Sequence, residues 1–292
     1  WGWEIPLYLF LGGISAGLLF FAALLSIQGK AKKYPVSVMW MPLAVPVLIG
    51  IGLLALLFDL SHKLYFWQLY TNIRWESPMS WGAWTLLFIT PLSIAWILRW
   101  LPDMFPKLDL KYQLIYDLID VLKKYEKSMA YGLIALATTL GMYTGILLSA
   151  FNARPFWNTS ILGPLFLISG LSAAAALTAY FAKSHEEKKH FIKIDLFLIV
   201  TEFFLIVHLF MGLLASTAVH IEAAHMFLGG SYTVPFWVLV VAMGLILPGG
   251  LELMELRKKF IPAIVPVVLI VMGNLMLRFI VVSAGQASRW LY

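Results

Sequence analysis

Between Tyr143 and Ser160 the chain reads Y-T-G-I-L-L-S-A-F-N-A-R-P-F-W-N-T-S: the end of one apolar run, a short connection carrying Asn152, Arg154, Trp157 and Asn158, and the start of another run. An arginine and two amides beside hydrocarbon are costly unless a wet or protein-lined place supplies partners. Taken alone, the stretch has a plainer reading, with Arg154 snorkelling to headgroup level and Trp157 in an aromatic belt. Other reactive types fall at corresponding places along the chain. Asp59, His62, Tyr65, Trp67, Arg74, Glu76, Ser77, Ser80 and Trp81 form one group; Thr217, His220, Glu222 and His225 another; Gln286 and Arg289 close the last apolar run. Glu202, His208, Asn274 and Arg278 lie inside apolar runs.

These types suit a flat, apolar ring with two carbonyls and a long isoprenoid tail, which is a quinone. Its site needs an apolar slot, donors for the carbonyls and groups that pass protons. Asp59 and His62, one turn apart at the end of an apolar run, are expected to share a helix face and exchange protons. Tyr143 is placed to donate its hydroxyl to a carbonyl, and Trp81 and Trp157 to supply aromatic walls. Each has a plainer alternative: Asp59 a helix-end cap, Tyr143 an interfacial tyrosine, the tryptophans belt residues. Ionisable groups within the membrane are usually paired inside a bundle. Arg278 is therefore expected to neutralise Glu202, with Glu202, His208 and Arg278 as members of a proton path.

The elements that must position these residues are long apolar helices. Of 292 residues 61% are hydrophobic and only 12% charged, against about 25% charged in soluble domains. Runs of about 20 apolar residues span a bilayer core of about 30 Å, and the alternating segments of a membrane barrel are missing. Eight spans are predicted: Glu4–Ile27, Trp40–Leu60, Met79–Trp100, Met129–Phe151, Ile161–Ala182, Ile194–Val219, Pro235–Leu256 and Ile261–Gly285. The reading is an all-α polytopic membrane protein, its helices packed as bundles in one transmembrane domain over residues 1–292. Gly13 and Gly17, four apart in the first span, suit close helix packing. Leu110, Leu114, Leu118 and Leu122, with Asp and Lys between them, predict a surface-lying amphipathic helix over Leu108–Lys124.

Lys/Arg placement sets orientation. Sixteen fall in the connections after spans one, three, five and seven, and four (Lys63, Arg74, Arg154 and Arg289) on the other side. The lysine-rich side is expected inside, with both visible ends and the Asp59, Tyr143 and Arg154 groups outside. The basic residues sit in short loops, so the net charge of +6 does not indicate nucleic acid. Residues are expected upstream of Trp1. Lys30, Lys32 and Lys33 follow the first run, not a signal-peptide cleavage pattern.

Without cysteine, the chain has no disulfides, thiolate-held iron–sulfur clusters or Cys-type zinc sites. A bis-histidine haem needs two deep histidines, and only His208 is deep. His220, Glu222 and His225 are ligand types without a fourth partner. Asn158-Thr159-Ser160 matches a glycosylation pattern common by chance. The competing reading is a proton or small-solute transporter subunit, which predicts inverted repeats and helices broken at the midplane. No repeat is visible, and the polar residues gather at one rim. A purely structural anchor would not need Asp59, His62 and Tyr143 together.

The chain resembles the NrfD/PsrC family of membrane subunits from polysulfide reductase and related complexes. The resemblance rests on W-G-W-E-I-P-L-Y-L-F-L-G-G at Trp1–Gly13, F-D-L at Phe58–Leu60, S-P-M-S-W-G-A-W at Ser77–Trp84, Y-T-G-I-L-L-S with A-R-P-F-W-N up to Asn158, and L-R-F-I-V-V-S-A-G-Q at Leu277–Gln286. It implies a multi-pass anchor in the cell inner (cytoplasmic) membrane, without haem or iron–sulfur cluster of its own. Such an anchor binds menaquinone or ubiquinone near the outer face and docks an iron–sulfur subunit that leads to a molybdopterin catalytic subunit. Carried over by motif, Asp59, Tyr143 and Arg154 are the implied site residues. Ser61-His62-Lys63 departs from the family's frequent Gly-Arg-Pro after the Asp-Leu pair, and the first span lacks the His or Asn found beside quinone in some relatives.

Overall fold

The structure is a computed structural model that describes residues 1–107, 113–257, 259 and 261–290. Among these residues, eight helices are long and apolar enough to cross a membrane: α1 (Glu4–Ile27), α2 (Val36–Asp59), α4 (Pro78–Met104), α6 (Glu126–Ser149), α7 (Leu162–Phe181), α8 (His185–Leu214), α10 (Pro235–Leu256) and α11 (Ile264–Ala287). Between them lie the short helices α3 (Gln68–Thr71), α5 (Gln113–Lys124) and α9 (Ala218–His225). Two spans are not α-helical throughout. α2 opens with a π-helical turn over Val36–Trp40, and α10 is π-helical over Pro235–Ile246.

All eight predicted spans are present. The largest boundary difference is in α8, predicted from Ile194 but starting at His185. Ser184 caps it, its hydroxyl accepting from the Glu187 amide at 3.0 Å, with Glu186 and Glu187 in the first turn. The cap and those carboxylates favour a helix N-terminus, so Lys188, Lys189 and Lys193 stand on the helix and not in a loop. α5 supplies the amphipathic helix, with Leu114, Leu118 and Val121 on its exposed side. Its expected first residues, Leu108–Tyr112 with Leu110 and Lys111, lie outside the described residues, as does Lys258.

α1, α2, α4 and α6 pack as one group and α7, α8, α10 and α11 as another, joined where α1 meets α7 and α11 and where α6 meets α7. Helices without a hydrophobic driving force between them associate by close backbone packing, and the α1–α7 crossing depends on it. A Cβ added at Gly17 would collide with the Gly170 carbonyl and Ala174, and one added at Gly170 would stand 2.6 Å from the Gly13 oxygen. Gly170→Ala should therefore cost about 1–3 kcal/mol by overpacking, read as a lower unfolding temperature in detergent. At Gly12 an added Cβ meets nothing within 4 Å, so Gly12→Ala should leave that temperature unchanged. Equal losses at both positions would show that the crossing is not tight.

Candidate functional site

At the end of the bundle remote from most lysines, α1, α2, α4 and α6 spread apart beneath the loop that follows α2. They leave a cleft of about 520 Å³, walled by Leu53, Leu57, Phe66, Met79, Leu86 and Leu147 among others. That size is typical of small-molecule sites, and so is an apolar lining with a few convergent polar groups. Four polar side chains reach it: Tyr8 from α1, Asp59 at the last turn of α2, Tyr70 from α3 and Tyr143 from α6. Asp59 is half-buried.

The two deep tyrosines are held by packing. The Tyr143 ring occupies the space a side chain at position 82 would need, since a Cβ there would collide with its Cζ and hydroxyl. The glycine of S-P-M-S-W-G-A-W thus seats Tyr143 against α4. Tyr8 is 3% exposed, and its buried hydroxyl stands against that of Tyr143 with no other hydrogen-bond partner among the described residues. Two hydroxyls bonded to each other use one of their two protons, and the other is left at the border of the cavity. Burial also raises the Tyr70 phenol above the usual tyrosine range, so that hydroxyl stays protonated, and able to donate, across physiological pH.

The other sequence-predicted residues fall in several places. The expected Asp59–His62 helix face does not form, because α2 ends at Asp59 and Leu60 turns extended (ψ 127°). His62 is exposed and lines an adjoining groove with Tyr65, Gln68 and Asn72. Trp81 is no wall of the cleft. It donates from Nε1 to the Trp75 carbonyl at 2.9 Å and lines a separate groove with Arg74 and Trp84. Arg154 turns to the end of α11, where Nη1 donates to the carbonyls of Gln286 at 2.6 Å and Ser288 at 3.2 Å. Asn152 accepts at its carbonyl from Trp290 Nε1 at 3.0 Å.

Trp157 packs into the notch left by Gly285, donates to the Val281 carbonyl at 2.8 Å and stacks on Trp1 with ring centroids 5.3 Å apart. Trp1 in turn lines the cleft. The Arg154–Trp157 turn therefore stands behind the cleft and clamps α11, since its polar atoms find carbonyls there that a snorkelling arginine would leave for water.

Deep in the second group, Arg278 is fully buried. It donates to Ser169 Oγ at 2.7 Å and to the carbonyls of Phe166 at 2.9 Å and Asn274 at 3.2 Å. Arg278 and Glu202 attract each other as expected, without a direct salt bridge among the described residues, because Ser169 of α7 bonds to both. α8 and α11 each pack on α7, which sets that hydroxyl between the two charges. His208 faces away from the interior, its ring nitrogen bonded within its own helix to the Phe204 carbonyl, 2.9 Å away, and its ring against Phe204. His220 is held by Thr217, Nδ1 to Oγ1 at 2.7 Å.

Sequence reasoning missed Tyr8 and Tyr70. Tyr8 had a signal in an isolated hydroxyl within the otherwise apolar stretch I-P-L-Y-L-F-L, but its direction across the cleft depends on how α1 is rotated against α6.

A family model described as polysulphide reductase, NrfD, matches residues 1–288 of the chain. The chain is 33% identical to "Protein NrfD" of Escherichia coli, over 99% of this chain and 95% of that protein. It is 31% identical to "Protein NrfD homolog" of Haemophilus influenzae, with 99% and 95% covered. It is also 31% identical to the C-subunit of polysulfide reductase from Wolinella succinogenes, with 98% and 94% covered.

Proposed function

This chain belongs to the NrfD polysulphide reductase family of multi-pass membrane proteins, and from that premise we propose that its cleft is a quinone site linking the membrane quinone pool to the other subunits of a reductase complex. The observation that carries this reading is the pair of buried hydroxyls, Tyr8 and Tyr143, at the bottom of an apolar cleft with Asp59 at its rim. The residues fit the group: aliphatic and aromatic walls take a ring and the start of a tail, and the hydroxyl proton that the two tyrosines do not use between them suits a carbonyl oxygen. A bound menaquinone or ubiquinone supplies a two-electron, two-proton couple. Tyr8 and Tyr143 donate hydrogen bonds at the deep end and fix the ring's position, and Tyr70 donates from the loop. Asp59, within reach of both cleft and water, takes up and releases protons. Arg154, Asn152 and Trp157 position Trp1 and the end of α11 behind the site.

The remaining features support an assembly around this site. The loop beyond α2 presents Leu64 at 86% and Trp75 at 76% exposure, with Tyr65, Phe66 and Trp67 also exposed. Large apolar side chains at such exposure mark a contact surface, and an iron–sulfur subunit seated there, wired to a molybdopterin subunit, would bring its cluster close to the cleft. The Lys/Arg asymmetry supports an orientation in the cytoplasmic membrane with this face outside and the lysine-rich face inside.

Titration of the purified protein with a short-tailed naphthoquinone or benzoquinone, followed by quenching of tryptophan fluorescence, tests the site. Saturable quenching is expected, and Ala83→Phe, which fills the cleft, should abolish it. Quenching undiminished in Ala83→Phe would place quinone binding elsewhere.

A further inference from the structure

The lysine-rich end carries a second cavity, remote from the cleft and unused by it. It measures about 330 Å³ and opens between the start of α8 and the end of α10. His185, Lys188, Lys189 and Ile192 line it from α8, and the spacing i, i+3, i+4, i+7 puts them on one helix face. Glu255 and Leu256 line it from the last turn of α10, and Lys259 from the connection beyond. Lys188 and Glu255 pair across it, both partly buried. Deeper in, α8 and α10 close on each other, since a Cβ added at Gly249 would touch Ile199 and Leu196. The cavity is thus a notch between two helix ends with a packed floor. The buried Asp195 and Glu252 do not line it.

Three lysines and a histidine meet one carboxylate in this notch, and Lys188 takes that carboxylate. Several lysines elsewhere at this end have partners: Lys33 pairs with Glu186, Lys123 with Asp120, and Lys183 lies over the Trp40 ring. Lys189 and Lys259 have no such partner among the contacts of the described residues, and they reach one cavity from two sides. Ammonium groups converging on a concave space repel each other, and an anion between them relieves the repulsion. Lysine binds phosphate well, as a point charge. The lining is not only polar, because Ile192 and Leu256 form part of it. One turn deeper on the Leu256 side of α10, Leu253 is 45% exposed, with Met254 beside it at 38%. On a helix that spans a membrane, such side chains face hydrocarbon. The surroundings match a ligand with an anionic head and aliphatic chains; a soluble phosphate would leave the apolar part unused.

We propose that this notch binds the headgroup of an anionic phospholipid, its phosphodiester between Lys189 and Lys259 and its acyl chains along Leu256 and Leu253 of α10. Basic pockets between transmembrane helices at the membrane surface suit such headgroups. A zwitterionic phospholipid brings a cation of its own, which would meet the same lysines and is disfavoured. The bound lipid links the start of α8 to the connection after α10, beside the Lys188–Glu255 pair that already spans the two helices. The site is independent of what the cleft binds.

Native mass spectrometry of the full chain released from detergent, with dioleoylphosphatidylglycerol added, tests the site. A single phosphatidylglycerol should be retained at concentrations where dioleoylphosphatidylcholine is not. A lysine close to an anionic lipid is worth about fivefold in affinity, so Lys189→Gln combined with Lys259→Gln should weaken retention about 25-fold. Lys32→Gln combined with Lys127→Gln removes as much charge from exposed positions outside the notch and should leave retention unchanged. Equal retention of the two lipids by the parent would overturn the proposal without recourse to any variant. Equal weakening in both double variants would do the same, since it marks a diffuse attraction to a basic face. Undiminished retention in a Lys189/Lys259 double variant that keeps the parent's unfolding temperature would place the lipid elsewhere. Displacement of phosphatidylglycerol by inorganic phosphate at comparable concentration would make the notch a site for soluble phosphate and not for lipid.

Discussion

Asp59→Asn should lower quinone-linked turnover by about 10²–10⁴-fold, the usual cost of removing a positioned acid–base group, while leaving the complex assembled. Asp59 ends α2 at the rim of the cleft, half-buried between apolar lining and water. Asparagine keeps its shape and one accepting oxygen but cannot take up a proton. No hydrogen bond holds the carboxylate among the contacts described, so its loss removes no structural tie. Activity with an artificial dye that reacts directly at the catalytic subunit should survive. The split between the two assays carries the conclusion. Near-normal quinone turnover would make Asp59 only the end of a helix, and parallel loss of both activities with loss of the complex would make it structural. Parallel measurement of His62→Ala is informative, because α2 stops before it and His62 lines a different groove. It should change turnover far less than Asp59→Asn does.

Tyr143→Phe should reduce the same turnover by about 10²–10³-fold, the range for loss of one preorganised donor at a site of developing charge. The ring remains against Gly82, so packing and assembly should match the parent and the change should report the hydroxyl alone. Tyr8→Phe should act in the same direction, since its hydroxyl meets that of Tyr143 in the same cleft. The two hydroxyls serve one place. The double variant should therefore fall short of the product of the single losses, as residues acting as a unit do. Turnover in Tyr143→Phe within about twofold of the parent, far inside the expected loss, would reduce Tyr143 to a wall of the cleft. Multiplicative losses in the double variant would show that the two tyrosines act independently.

Several elements were legible in the chain as written. Apolar runs of bilayer length, cut by lysine-bearing connections, determine eight spans, because length and hydropathy are properties of the chain taken residue by residue. The same reading found Gly13 and Gly17 as a packing surface, and it singled out Asp59 and Tyr143, whose side chains meet one cleft. Composition excluded thiolate chemistry outright, since the chain has no cysteine.

Tertiary structure decided which way each helix is turned and where each one stops. His208 and Glu202 lie on one helix, yet Glu202 is buried and His208 is exposed, a difference of rotation about the helix axis that hydropathy does not encode when both faces are apolar. Asp59 and His62 parted because α2 ends between them, with no glycine or proline there to announce it. Arg154 and Trp157 sit beside the outer cluster in sequence, but the carbonyls at the end of α11 and the notch at Gly285 claimed them. Tyr8 entered the cleft through contacts between helices far apart in the chain. Within a bilayer the hydrophobic effect fixes that a helix crosses, and close packing together with the need to satisfy each buried polar group fixes its neighbours and its rotation.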